Sequence, residues 1–286
     1  MTAFDYGKAF SRNLGWVTGQ EQERLRHCRV AIAGMGGVGG FHLLTLARLG
    51  VGAFNLADFD RFDLVNFNRQ AGAGVSTLGK PKLEVMASMA RDINPELDLR
   101  LFPTGVDERV LNEFLADVDL FVDGLDFFAL DIRQAVFAAC AERGIPAVTV
   151  APLGMGAALL SFLPGHMSFD DYFGFAQNSQ LEKAMRFFVG LAPARLQMGY
   201  LVDPSTIDLA NHKGPSTPMG CMLCAGVAGT EALKILLRRG RVYSAPWGVH
   251  YDAFKNRLAR TWRPGGNDRN PLQKFALAAL RRRLQA

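Results

Sequence analysis

The sequence predicts an α/β protein: a doubly wound, mostly parallel sheet, a long crossover region, and antiparallel strands added near the C-terminus. Three observations predict it. Apolar runs at 29–33, 53–57, 118–122 and 146–150 read as buried strands, the third apolar enough to be covered on both faces. Segments of helical period lie between them, at 43–49, 81–93, 106–116 and 130–143, and strands alternating with helices give parallel pairing. After residue 157 the periodicity weakens, and strands return only in a hairpin at 241–254.

Each element has its own signal. Residues 5–26 are polar and read as helical in pieces, and 97–102 alternates as a strand. The stretch 146–164 is the most apolar, but Pro152, Gly154 and Gly156 make it two strands about a glycine turn rather than a membrane helix. Residues 165–218 are long and irregular, with Phe169, Tyr172, Phe173 and Phe175 and a helix near 180–190; a loop of that length is usually functional or disordered. The stretch 220–239 returns as a strong helix, clearest over 225–237, ending in Arg238, Arg239 and the C-cap candidate Gly240. Residues 265–267 read as a loop and 272–284 as an amphipathic helix.

With 286 residues, 49% hydrophobic and 21% charged, the chain is ordinary for a globular protein with a large core. The expected organisation is one domain over 1–286, with a helical arm at 1–28, a variable crossover at 165–219 and a terminal helix at 270–286. The net charge of +5 is modest; Lys274, Arg281, Arg282 and Arg283 read as a solvated basic tail, and the balance does not indicate nucleic-acid binding. Cys28, Cys140, Cys221 and Cys224 are too few and too unevenly placed for a disulfide framework. With no signal peptide or membrane span, the expected compartment is the reducing cytoplasm.

The chemistry concentrates in residues 29–70. Strand 29–33 runs into Gly34-Met-Gly36-Gly37-Val-Gly39, then a helix, then strand 53–57 ending on Asp58. This is the Rossmann-like dinucleotide-binding layout. Glycines let the backbone turn sharply and approach a phosphate, and the helix N-terminus offers free N–H groups to the anion. Asp58 at the strand tip is placed to accept both ribose hydroxyls. The fingerprint alone is shared by many nucleotide-binding proteins. Three motifs C-terminal to it are more specific: Asp58-Phe-Asp60, Asn66-Phe-Asn68-Arg69-Gln70 and Gly79-Lys80-Pro81-Lys82. A dinucleotide has no need of Arg69 and Lys82 just past the ribose acid, whereas a triphosphate does.

In order and spacing these motifs resemble the ubiquitin-activating-type adenylyltransferases, including the bacterial ThiF/MoeB/HesA group serving thiamine and molybdopterin synthesis. The resemblance runs from about residue 10 to 254, strongest at 34–126 and weakest at 165–219. It implies ATP and magnesium as cofactors and attack of a carboxylate on the α-phosphate, giving an acyl-adenylate and pyrophosphate. Gly34, Gly36, Gly37, Gly39, Asp58, Asp60, Asn66 and Gln70 would form the nucleotide site, with Asn66, Arg69 and Lys82 on phosphates and Gln70 supporting them. Asp126, past strand 118–122, matches the magnesium-side aspartate; Asp123, nearer the strand, reads as structural. Arg12 matches an arginine that reaches across a dimer interface to the partner's triphosphate, implying a homodimer.

The departures are informative. Many relatives hold zinc with two Cys-x-x-Cys pairs, but residues 263–266 stand where the second would be and the crossover has no cysteine. No structural zinc is expected, and Cys221 and Cys224 read as core thiols. Without a crossover cysteine the chain should stop at the adenylate or pass it to an external nucleophile. The acyl donor expected is the C-terminus of a small ubiquitin-like or sulfur-carrier protein, a peptide, or a tRNA-attached threonylcarbamoyl group, the last as in the tRNA threonylcarbamoyladenosine dehydratase branch, which also lacks the zinc pairs. His166 and His212 read as surface residues of the variable region. Two rival readings are an NAD(P)-dependent oxidoreductase, in which Arg69 and Lys82 would be idle, and a non-catalytic dimer partner, against which the intact constellation argues.

Overall fold

The computed structural model describes residues 3–208 and 214–285, with side chains to residue 282; His212 and the Arg283 side chain lie outside the described residues. The chain forms two compact units, Met1–Leu125 with Ala225–Val242, and Asp126–Cys224 with Tyr243–Ala286.

The first unit opens with helices α1 (Tyr6–Ala9) and α2 (Gly19–His27), joined by a 3₁₀ turn at Ser11–Asn13. Thr18 and Glu21 form a reciprocal capping box at the start of α2, satisfying N–H groups that the helix cannot. Then come β1 (Arg29–Ala33), α3 (Gly39–Leu49), β2 (Ala53–Ala57), α4 (Lys82–Ile93), β3 (Asp98–Phe102), α5 (Leu111–Phe114) and β4 (Leu120–Asp123). The strands lie in the order β3-β2-β1-β4, all parallel, with Val30 opposite both Phe54 and Leu120. Every residue of β1, β2 and β4 is buried, whereas the edge strand β3 is mostly not. Arg29, buried at the foot of β1, is neutralised by Asp98 and hydrogen-bonded to Asn55 Oδ1 at 3.0 Å.

One expected helix shrinks. Of 106–116 only Leu111–Phe114 is helical. The Asp107 carboxylate accepts the N–H groups of Arg109 (2.9 Å) and Val110 (3.2 Å), a local turn that competes with helix.

The second unit contains α6 (Leu130–Glu142), β5 (Ala147–Leu153), β6 (Gly156–Phe162), α7 (Phe169–Phe173) and α8 (Gln180–Leu191). Helix α9 (Pro218–Leu237) passes into the first unit, and β7 (Trp247–Asp252), β8 (Arg257–Trp262), α10 (Gly266–Arg269) and α11 (Pro271–Gln285) complete the second. Its strands follow the order β5-β6-β7-β8, each antiparallel to the next. Four parallel and four antiparallel strands match the fold class expected from the sequence. The stretch 146–164 is the expected pair of strands, turning at Gly154 with φ +61°.

Several boundaries differ from expectation. The hairpin lies at 247–262, not 241–254: Pro246 has no N–H for the ladder, and Asp252 Oδ1 accepts the Lys255 N–H (2.8 Å) to set the turn. Gly265 caps a short helix rather than sitting in a loop. Helix α9 starts at Pro218, two residues before the stretch 220–239 expected to be helical. By length and composition α9 is long and apolar enough to cross a membrane, but 61% of its most apolar window is buried in the fold.

The largest correction concerns 165–218, which is not one irregular loop. Phe169, Tyr172, Phe173 and Phe175 are fully buried with Phe187 of α8 and pack on Phe137 and Phe162. Ring centroids as close as 4.6 Å make this an aromatic core, the kind of burial that dominates packing energy.

Candidate nucleotide site

The first unit assembles the turn after β1 as the sequence leads one to expect. Gly34 has φ +89° and donates its N–H to the Ala57 carbonyl at 2.7 Å, tying the turn to the tip of β2. A Cβ on Gly34 would lie 2.2 Å from the Gly124 oxygen, and one on Gly39 1.8 Å from the Gly34 oxygen. Both glycines are therefore required by backbone packed on backbone. Gly36 differs: its nearest neighbour would be Gln70 Nε2 at 3.8 Å, so that part of the turn is open. Helix α3 begins with no side chain capping its N-terminus. Its first N–H groups and positive dipole end are thus available to an anion.

Asp58 sits where β2 ends. Its Oδ2 accepts the Met35 N–H at 2.6 Å and its Oδ1 the Asp60 N–H at 2.7 Å. Burial pushes its carboxyl above the usual carboxylate range, while those two N–H groups and the Lys82 charge pull it back. Each oxygen retains a second lone pair for a ribose hydroxyl.

Lys82 is the buried cation of the group. Its Nζ pairs with the half-exposed Asp60 carboxylate at 2.9 Å, and its backbone N–H donates to the Asp60 carbonyl at 2.9 Å. The buried Asn66 accepts the Asp63 N–H with Oδ1 at 3.0 Å, which closes the 3₁₀ turn Leu64–Asn66. Arg69, partly exposed, donates to the Val65 carbonyl (2.8 Å) and Asn68 Oδ1 (2.9 Å). Gln70 is buried, and its Oε1 has no hydrogen-bond partner, a costly arrangement unless something else supplies one.

The structure thus brings together Gly34, Gly36, Gly39, Asp58, Asp60, Gln70 and Lys82, with Asn66 and Arg69 on the adjoining turn. Arg12 is exposed on the turn Ser11–Asn13. Asp123 is buried in β4 and accepts the Leu125 N–H at 3.1 Å, in keeping with a structural role.

Asp126 opens the second unit and is exposed. Its Oδ1 accepts the Phe128 N–H at 3.0 Å. The fully buried Arg133 of α6 donates to the carbonyls of Asp126 (2.9 Å) and Phe127 (3.2 Å) and lies over the Phe187 ring. Sequence reading missed that Arg133 holds the backbone at Asp126 and Phe127; its one signal was an arginine on a helix otherwise apolar on that side. The close approach of Gly124 to Gly34 and Gly39 was missed too, although a glycine directly after a buried strand was the clue.

The four cysteines are free and buried. Burial raises the Cys140 thiol to about 12 and that of Cys28 to about 11, which makes both poor nucleophiles. Among the described residues no group of three or more His, Cys, Asp or Glu side chains is arranged to hold a metal. Magnesium bound with a nucleotide needs no such cage: one or two carboxylates suffice beside the phosphates.

Comparison with known proteins agrees with this geometry. The model of the ThiF family matches residues 10–272. The chain is 36% identical over 150 residues to the tRNA threonylcarbamoyladenosine dehydratase of Bacillus subtilis, covering 52% of this chain and 57% of that protein. It is 32% identical over 143 residues to the sulfur carrier protein ThiS adenylyltransferase of Escherichia coli, covering 50% and 56%. The chain therefore spans about half the length of the curated relatives it matches. Among solved structures, E. coli MccB with succinimide superposes with a TM-score of 0.68 at 16% identity, covering 94% of this chain and 76% of that one. The E. coli tRNA N6-threonylcarbamoyladenosine dehydratase in complex with ATP superposes with 0.61 at 21% identity, covering 83% and 97%. At such identities these two likenesses speak for the fold, and the match over nine-tenths of the sequence speaks for descent: the chain belongs to the ThiF family.

Proposed function

We propose that this chain is an ATP-dependent adenylyltransferase that activates a carboxylate as an acyl-adenylate. The observation that carries the reading is the uncapped N-terminus of α3, opening on the free side of Gly36 with Asp58 beside it and Lys82 held at Asp60. That is an anion cradle, a ribose acceptor and a buried cation in one group. ATP is the substrate that uses all three. Asp58 would accept the ribose hydroxyls, and Lys82, Arg69 and Asn66 would bind phosphates. The unpaired Gln70 Oε1, an acceptor, would gain a donor from a hydroxyl or the adenine amino group of the nucleotide. Asp126 would hold magnesium, which neutralises phosphate charge when bound. Little covalent work is asked of the side chains, which position and neutralise. The match over 10–272 runs through both compact units, which supports reading the whole chain as one adenylyltransferase, and the free thiols suit a reducing cytoplasm.

The acyl donor we favour is the C-terminus of a sulfur-carrier or ubiquitin-like protein, or a peptide. A second reading, a tRNA-attached threonylcarbamoyl group, is favoured by the Bacillus subtilis relative.

Thermal denaturation with added nucleotide tests the proposal. ATP with magnesium should raise Tm and NAD should not, and Lys82→Ala should cancel the ATP shift. A shift with NAD and none with ATP would reject adenylation.

A further inference from the structure

The β7–β8 hairpin carries a surface that the nucleotide chemistry does not use. Directly opposed residues in an antiparallel pair share a face, and here Trp247 opposes Trp262, Val249 opposes Arg260 and Tyr251 opposes Leu258. The opposite face of β7, with Gly248, His250 and Asp252, is buried, and on the shared face Val249 is buried too while Trp247 and Tyr251 are partly exposed. On the outward face Trp262 is 54% and Leu258 51% exposed, and Arg260 is exposed between them. The Trp247 and Trp262 rings lie 6.2 Å apart and tilted, and Tyr243 meets Trp247 at 5.9 Å. The Arg260 guanidinium stands 5.3 Å over the Tyr243 ring and donates to its hydroxyl. Strand β8 is the edge of the sheet, hydrogen-bonded on one side only.

We propose that this face is a platform for single-stranded RNA. The proposal rests on the tRNA branch of the function above and names the surface that would hold the strand. Three arguments select this occupant. The exposed Trp262 ring and the partly exposed Trp247 and Tyr251 rings, beside an arginine, offer bases stacking partners, which is how sheet surfaces recognise unpaired RNA. The charge suits a polyanion: Arg260 stands on this face and Lys255 in the turn beside it, and none of the six paired residues of the face is a carboxylate. A second copy of the chain is disfavoured, because a two-fold contact through this patch would set Arg260 and its neighbours against themselves. From Leu258 to Trp262 the strand spans about 13 Å, room for two or three bases.

The test is fluorescence anisotropy with a labelled oligouridylate of about twelve nucleotides, alongside its duplex with oligoadenylate. The wild-type chain should bind the single strand at least about tenfold more tightly than the duplex. Trp262→Ala and Arg260→Ala should each weaken that binding about tenfold, and Trp262→Phe, which keeps a stacking ring, should restore most of it. Circular dichroism melting shows whether each variant is folded, and the ATP-dependent Tm shift should persist in all three. Equal affinity for strand and duplex, or alanine variants that bind like wild type, would overturn the platform. So would a folded Trp262→Ala that loses binding of a small acidic carrier protein while RNA binding stays unchanged. Failure here with the ATP shift intact leaves adenylation standing, and loss of the ATP shift with RNA binding intact would strike adenylation alone.

Discussion

His42 shows how a single buried side chain couples this fold to pH. It lies on the inner face of α3, fully buried, and neither ring nitrogen has a hydrogen-bond partner. Burial alone lowers its pKa to about 3 from 6.5. In the unfolded chain the imidazole takes a proton below about pH 6.5, and in the folded chain it does not until about pH 3. The unfolded state therefore binds more protons through that window, so stability falls as the pH drops across it. Between pH 6.5 and 5 this one group should remove about 2 kcal/mol. His42→Leu should flatten the acid limb of a Tm-against-pH curve by that amount, and a variant with an unchanged limb would show that His42 is not the titrating group. Lys82 teaches a related lesson. The sequence marked it as a phosphate ligand, and the structure adds its ion pair with Asp60, which no spacing rule foretold because the two are 22 residues apart.

At the scale of the element, the turn between β1 and α3 separates packing from binding glycine by glycine. Gly39→Ala would drive a Cβ into the Gly34 carbonyl, where backbone cannot yield, and should cost about 3 kcal/mol. Gly36→Ala meets nothing closer than 3.8 Å and should leave stability within about 0.5 kcal/mol. It should nonetheless abolish most ATP affinity, because the methyl fills the cradle. Denaturant titration and isothermal calorimetry together check the pair; a Gly36→Ala chain that binds ATP normally would move the phosphate site elsewhere. This turn was legible in the sequence because β1, α3 and β2 are local elements with unmixed periodicity. The 106–116 segment was not, because the Asp107 side chain outcompetes the helix that Val110, Leu111, Phe114 and Leu115 suggest. The β7–β8 hairpin was shifted by Pro246, whose missing N–H counts only once the ladder is known.

For the whole molecule, the least legible part was 165–218. Its aromatics do not fall on one helical stripe, so no period betrays a core. They come from α7, the segment after it and α8, and meet only in three dimensions. The shared-site question also belongs to this scale. Arg12 is exposed on its turn, placed to act outside its own subunit if the chain is a homodimer. Arg12→Ala and Asp126→Ala should each lose pyrophosphate release from ATP. Mixed in equal amounts and allowed to exchange, they should recover about a quarter of wild-type activity, because half of the dimers would own one complete site of two. No recovery from subunits shown to exchange would remove Arg12 from the site and leave the remaining assignments untouched.

The aromatic core beneath α7 and α8 is built from phenylalanine and one tyrosine, and this has a spectroscopic consequence. The chain has three tryptophans, and none belongs to that core: Trp16 is 83% exposed, Trp262 is half-exposed and Trp247 is partly so. Indole emission from the native protein should already be that of hydrated rings. Denaturation will therefore shift its wavelength little, even as the phenylalanine core comes apart. Two of the three emitters sit on the β7–β8 face, so the same light that is nearly blind to unfolding would register whatever settles on that hairpin.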